Sequence, residues 1–499
     1  MMHRLADCLA DWVRSSPNSP AVSDSYAAWT YRQLSDAVDQ AAHALMQWGV
    51  GPGDRVALVG ENSCSLVALI LAAGRVDAWA VLENARRAPV EVDAILQASR
   101  PRRVIYVLDG SRDALAHAAR RNAQDMITPF GRIAISALDS TCDVEPVSID
   151  PREQVAALIY TTGSTGTPKG VMLTHANLLH IGGLMRQLRR LTPADRVYGV
   201  LPITHVMGLS SGLIGTLLAG AHVRLIPRFS ASECLAALHD DQITVLQGAP
   251  AMFGRLIKEP DIGDFPALRF IAVGGAPLDP TLKAQIEARF ALVVHNGYGL
   301  TEASGSCWTR LECSNADCAV GSPTPGMEIR ILDSEDAPVP AGKIGELWVR
   351  GPNVAKGYYR APEQTAQAFS SDGWFNTEDL ARVDADGRVH IEGRTKDLII
   401  RSGFNVSPLE VEMALNAHAA VQHCAVLGYP VQGNEEIVAV VETVAREDVQ
   451  EQDLQRFLAE RLSPYKRPGR IIFVASLPVA PNGKVLKQQV RKIIGDIYE

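Results

Sequence analysis

A chain of 499 residues with 47% apolar and 21% charged residues has the composition of a folded globular protein, and its length suits roughly two to four domains. The formal net charge of −8 excludes a nucleic-acid partner held by bulk electrostatics. Eight scattered cysteines include no Cys-x-x-Cys pair and no histidine at zinc-ligand spacing, so free thiols in a reducing compartment are expected.

Met1 to Arg14 carries Asp7 and Asp11 in an amphipathic helical pattern, unlike a secretory signal peptide, and a cytoplasmic protein is expected. Tyr31 to Trp48 reads as an amphipathic helix entered by Thr30 as N-cap. Arg55 to Val59 and Val104 to Leu108 read as strands, with a buried helix over Leu66 to Ala73 between them. This alternation implies α/β layers with parallel strands. Val155 to Ile159 is another strand pattern, and it runs into Tyr160-Thr-Thr-Gly-Ser-Thr-Gly-Thr-Pro-Lys-Gly-Val-Met-Leu-Thr-His175. Hydroxyls, unhindered backbone N–H groups and one lysine within a few residues suit a phosphate cradle. It is not a Walker A loop, because Pro168 and Gly170 stand where that motif needs Gly and Ser/Thr. A flexible Gly/Ser/Thr surface loop has the same composition.

The basic cluster Arg186 to Arg190, like Lys466-Arg467, reads as solvated surface. Val206 to Ala221 is apolar or small throughout and contains Gly208-x-x-x-Gly212, but it is shorter than the ~20 residues a membrane span needs, so a buried helix is expected. Strands ending in Gly/Pro turns follow at Thr244 to Gln247, Phe270 to Val273 and Leu292 to Asn296, and open α/β sheets bind ligands at such ends. From about 320 the pattern turns strand-rich (Met327 to Leu332, Gly345 to Val349, Val389 to Ile391), which suggests a small β-barrel or sheet. Helices near 409–416 and 451–461 and strands near 424–428, 437–443 and 471–474 make a last α+β unit. The expected division is 1–394 and 395–499.

Six stretches in a fixed order carry a further signal: Tyr160 to His175, Gly274-Gly-Ala-Pro277, Tyr298-Gly-Leu-Thr-Glu302, Trp374-Phe-Asn-Thr-Glu-Asp-Leu380, Gly393-Arg-Thr-Lys-Asp397 and Pro481-Asn-Gly-Lys-Val485. Together they resemble the adenylate-forming (AMP-binding) superfamily, most closely bacterial acyl-CoA synthetases, over about residues 20 to 490. The resemblance implies a large N-terminal domain of stacked α/β sheets plus a small β-barrel, then a small mobile α+β C-terminal domain. It implies an ATP-dependent carboxylic acid–CoA ligase working through an acyl adenylate, with ATP, Mg²⁺ and coenzyme A. No nucleic acid and no integral membrane span are expected, and the assembly is a monomer or homodimer.

By that resemblance Thr161, Thr162, Gly163, Ser164, Thr165 and Lys169 embrace the β- and γ-phosphates. Gly275, Ala276 and Pro277 lie along adenine, Tyr298 stacks on it, and Asn296, Gly297 and Gly299 flank it. Thr301 meets the α-phosphate, Glu302 holds Mg²⁺, and Asp379 and Arg394 take the ribose. Lys484 steadies the carboxylate and α-phosphate during adenylation, Lys396 is the hinge, and Gly403 lines the CoA channel in a second domain pose. The segment Gly428 to Glu436 is shorter than usual in the family.

The acyl site implied by the resemblance uses His205, Val206, Met207, Gly208, Ser211, Gly248, Gly275, Gly299 and Ser304, with His205 also facing the carboxylate. It offers no Asp to pair an α-ammonium, which disfavours amino acids, and its apolar wall suits a fatty or aromatic acid. Arg255 on the surface fits that reading; inside the pocket it would bind a second carboxylate, as in malonate-type ligases. The alternatives are a ligase that loads a carrier-protein phosphopantetheine and a nucleotide-binding regulator with a decayed site. Intact Lys169, Glu302, Asp379, Arg394 and Lys484 oppose the latter.

Overall fold

The computed structural model describes residues 2–162, 168–259, 263–311, 317–401, 404–431, 434–444, 449–480 and 485–498. Two large sheets face a shared core. In the seven-stranded sheet, Arg103–Val107, Arg55–Gly60, Trp79–Asn84 and Val155–Thr162 run parallel, in that spatial order. Antiparallel hairpin partners close both sides: Gly131–Ile135 with Gln124–Thr128, and Pro168–Thr174. In the nine-stranded sheet, Val294–Tyr298, Phe270–Val273, Val245–Gly248, Arg196–Gly199, His222–Leu225 and Pro20–Ser23 are parallel neighbours.

Helices fill the space between the sheets with their apolar residues. Cys64–Arg75 is buried along all but its last residue, as an all-round apolar helix must be. Tyr31–Gln47 buries Leu34, Val38, Ala41 and Leu45 at helical spacing. Its N-terminus is closed by a capping box: Thr30 Oγ1 accepts from Gln33 N at 3.3 Å, and Thr30 N donates to Gln33 Oε1 at 2.9 Å. Core residues from both sheets and from these helices form one cluster.

The expected buried helix over Val206 to Ala221 is a π-helix, Met207–Ile214, continued by the α-helix Gly215–Leu218. Among the described residues no helix is long and apolar enough to cross a membrane. Gly208 is a close approach: a Cβ there would stand 2.1 Å from the Pro202 carbonyl oxygen. A π segment is uncommon and recurs at functional sites.

Where a small barrel or sheet is expected, Glu328–Leu332, Gly345–Arg350, Phe375–Val383 and Val389–Arg394 pair antiparallel in chain order. Beyond the 3₁₀ turn Thr395–Asp397, the strands Val421–Val431, Asn434–Thr443 and Arg470–Val474 form a sheet covered by helices. Strand Asn434–Thr443 faces both ways with period two: Ile437, Ala439 and Val441 enter one cluster, Val438 and Val440 the other.

One surface expectation is corrected. Arg189 is only 2% exposed. It ends the helix His175–Leu188, donates from Nη1 to the Ser211 carbonyl at 2.8 Å and lies over the Trp308 ring at 5.3 Å. Burial lowers its pKa to about 9. A cation at a helix C-terminus meets the negative end of the dipole, which offsets part of the desolvation. The seven described cysteines are free, and six of them are buried.

Candidate active site

Strand Phe375–Val383 alternates buried and outward residues through Arg382, and its pairing with Val389–Arg394 shifts register between Leu380 and Ala381, just past Glu378 at φ 57°. That bulge sets Asp379 directly across from Arg394 on the neighbouring strand. Asp379 is 4% exposed, and its Oδ1 lies 2.7 Å from Arg394 Nε. Its other oxygen accepts the Tyr298 hydroxyl, and its backbone N–H donates to Thr377 Oγ1 at 3.1 Å. Burial first, and then the Asp379 charge, holds the Tyr298 phenol well above its ordinary pKa, so it stays a neutral donor. Three sequence motifs, at 298–302, 374–380 and 393–397, thus converge on one carboxylate.

Glu302 follows on the turn after Tyr298 and is buried with Thr301. Tyr358 donates its hydroxyl to Glu302 Oε1 at 3.0 Å, and Lys169 Nζ stands 5.0 Å from the centre of the Tyr358 ring. Burial is the main cause of a Glu302 pKa above the usual carboxylate value. Lys169 is placed by the hairpin of Val155–Thr162 and Pro168–Thr174, in which it pairs with Thr161. Gly163, Ser164, Thr165, Gly403 and Lys484, and the side chain of Thr162, lie outside the described residues.

The remaining expected residues divide between this cleft and its supports. Gly275 has φ 82°, a conformation that favours glycine, and it is exposed along with Pro277, while Ala276 is half-buried. Asn296 is buried and tied to the Cys318 carbonyl at 3.2 Å and to Gly297 N at 2.9 Å, which fixes the turn under Tyr298. Gly299 admits Gly305 N where a Cβ would lie only 2.5 Å away. His205 Nδ1 accepts from Met207 N at 3.3 Å and so caps the π-helix. Met207 packs its thioether against Gly274 and Gly275, at 3.5 Å from a Cβ on either. Val206 sits in the main core, and Ser211 turns its carbonyl to Arg189. Gly248 accepts Gly274 N at 3.2 Å, and Ser304 O accepts Asn353 Nδ2 at 2.5 Å. Lys396 pairs with Glu378 at 2.8 Å. Arg255 is exposed on the helix Pro250–Leu256, beside Gly254, where a Cβ would stand 3.9 Å from His423 Cε1.

Tyr358, Asn353 and Arg189 enter the site or its wall without belonging to any of the six stretches. The run Gly357-Tyr-Tyr359, aromatic residues after a glycine, is the signal that marks Tyr358.

Residues 9–359 match the family model for the AMP-binding enzyme, and residues 410–484 match the AMP-binding enzyme C-terminal domain. The chain is 34% identical to a feruloyl-CoA synthase of Amycolatopsis sp, with 97% of each chain covered. It is also 34% identical to the sulfoacetate–CoA ligase of Cupriavidus necator, with 96% of each covered. The ATP-bound MatB structure from Rhodopseudomonas palustris superposes with a TM-score of 0.88 at 31% identity, over 100% of both chains. The chain therefore belongs to the AMP-binding enzyme family. Its reaction is the ATP-dependent, AMP-forming ligation of a carboxylic acid to coenzyme A through an acyl adenylate, with Mg²⁺ as cofactor.

Proposed function

We propose that the cleft between Tyr298, Glu302, Asp379, Arg394 and Lys169 is the adenylation site and that the acid is a monocarboxylic fatty or aromatic one. The convergence of Tyr298 and Arg394 on Asp379 carries this reading, because both oxygens of that buried carboxylate are aimed and held. Asp379 takes the ribose hydroxyls, and Tyr298 offers its ring to adenine beside Gly275, Ala276 and Pro277. Thr161, Thr162, Gly163, Ser164, Thr165 and Lys169 hold the phosphates that leave. Thr301 and Lys484 steady the phosphorus under attack, and His205 and Met207 border the acid. Lys396 is the pivot between units 1–394 and 395–499, with Gly403 serving the thiol pose. A cytoplasmic setting belongs to the same proposal.

The donor set fits Mg²⁺, a hard cation, because Glu302 is a buried carboxylate whose Oε1 accepts from the Tyr358 hydroxyl. Bound there, Mg²⁺ supplies charge neutralisation to the triphosphate. The residues bind and orient: fixed donors aimed at developing charge lower the barrier to attack on phosphorus.

Glu302 makes the reading testable by pH. A carboxyl whose folded pKa is raised stabilises the fold most below its unfolded pKa, and that contribution is lost as pH rises through the folded value. At neutral pH, Glu302→Gln is therefore expected to raise the melting midpoint by a few degrees while cutting adenylation about 10²-fold. The stability gain vanishes on acidification below about pH 4, near the ordinary carboxyl value. Thermal melts across pH beside ATP–pyrophosphate exchange check both limbs.

The exposed Arg255 supports a single-carboxylate acid over a dicarboxylate, since its charge lies outside the buried wall. CoA-dependent AMP release across fatty, aryl, dicarboxylic and sulfonated acids is the deciding screen. Preference for fatty or aryl acids is expected; exclusive use of malonate or sulfoacetate refutes the acid assignment. Replacing CoA by a carrier protein tests the acceptor.

A further inference from the structure

Strand Val245–Gly248 points Val245 and Gln247 toward the helix layer between the sheets, and Leu246 the other way. Gln247 is the polar exception on that buried face, at 4% exposure. Among the described residues neither its Nε2 nor its Oε1 has a hydrogen-bond partner, although both atoms are sealed from solvent. An amide left so is costly, about 1–3 kcal/mol for each unsatisfied group, and nearly all buried polar atoms in native proteins are paired.

The surroundings explain why the amide is left open. Gly199 on the adjoining strand and Gly208 and Gly212 on the π-helix line one void with it, so three of the lining positions carry no side chain. Leu201 and Ile203 also line this void of about 10 Å³, room for one water-sized group. Both glycines of the Gly208-x-x-x-Gly212 spacing, unremarkable as a membrane motif, line this void, and the absence of a side chain at Gly208 lets the π-helix approach the Pro202 and Leu201 carbonyl oxygens. The void adjoins the acyl wall: Gly248 follows Gln247 in the chain and accepts Gly274 N, while Met207 lies between Gly274 and Gly208. Met207 has an unbranched, easily rotated side chain, suited to yielding to an acyl chain that enters from the adenylate side.

We propose that Gln247 is a specificity-determining residue that reads a hydrogen-bonding group, a hydroxyl above all, at the far end of the acid. The amide presents one acceptor and two donors, which match a hydroxyl's donor and lone pairs in a space too small for a second ring. The acid is therefore a hydroxylated aromatic or fatty acid. This rests on the acyl site and acid class proposed above. A site built to hydrogen-bond a substrate hydroxyl strongly rejects the analogue lacking it, because its own polar groups are then stranded.

The test measures adenylation by pyrophosphate release for two pairs: 4-hydroxycinnamic against cinnamic acid, and an ω-hydroxy fatty acid against its parent. The wild-type enzyme is expected to favour the hydroxylated member of at least one pair by about tenfold or more in kcat/KM. Gln247→Leu is expected to abolish or invert that preference through the KM for the acid, with the KM for ATP as the control readout. Equal use of both members by the wild type, or a preference that survives in Gln247→Leu, overturns the inference and leaves the acid class standing. A Gln247→Leu protein that melts higher yet keeps the preference shows that the amide merely holds a structural water. If the wild type adenylates neither pair, the acid class itself falls, and this inference falls with it.

Discussion

Asp379→Ala is expected to lower kcat/KM for ATP by about 10²–10³, within the roughly 2–5 kcal/mol of binding lost when one partner of a buried hydrogen-bonded charge pair is truncated. The size follows from what stays behind. Arg394 Nε loses the carboxylate at 2.7 Å, and the Tyr298 hydroxyl loses its acceptor. The cleft then holds a guanidinium without its paired carboxylate and a stranded phenol, and under the proposed assignment the ribose loses its acceptor as well. Asp379→Asn keeps the shape and one acceptor oxygen, so a smaller loss is expected. ATP–pyrophosphate exchange at varied ATP, with urea melts to separate folding from binding, measures both variants. An unchanged KM for ATP in a folded Asp379→Ala protein would sink the ribose assignment.

Lys484→Ala is expected to cut adenylation by about 10²–10³, the scale of removing one donor from a developing anion. Thioester formation from supplied acyl adenylate is expected to persist near the wild-type rate. Lys484 lies outside the described residues, and its role comes from the Pro481-Asn-Gly-Lys-Val485 stretch. The two half-reactions need different charges near phosphorus. A lysine required while a carboxylate attacks a triphosphate has no task when a thiol attacks an uncharged acyl carbon. Rapid-quench assays of each half-reaction separate them, and equal loss in both contradicts the two-pose assignment.

Much of the fold is legible because burial leaves its period in the residues. Tyr31–Gln47 shows its helical stripe and its Thr30 cap, and the parallel strands show apolar runs stopped by Gly/Pro. The elements harder to read obey no clean period. Trp79–Asn84 is buried on every residue yet contains Glu83 and Asn84, which are polar inside the sheet. Gln124–Thr128 is a polar edge strand exposed at several positions, and Phe375–Val383 alternates in burial but not in hydropathy, because it turns Thr377 and Asp379 inward and Leu380 outward. Arg189 looks like surface in a run of arginines, and only the closing of Trp308 and Ser211 around it reveals a buried cation.

The sequence by itself determined the reaction. Nucleotide chemistry sits on short contiguous turns at strand ends, where residue type and spacing must suit phosphate, ribose and metal together. Tyr298, Glu302, Asp379, Arg394 and Lys484 therefore stand out in order. Tertiary structure alone decided the rest: that Tyr358 bridges Lys169 to Glu302, that Arg255 faces outward, and that Gln247 shares the lining of a void with three glycines. The acyl wall is drawn from distant segments and made of the same apolar types as any core. Only packing distinguishes a residue that fills space from one that waits for a ligand.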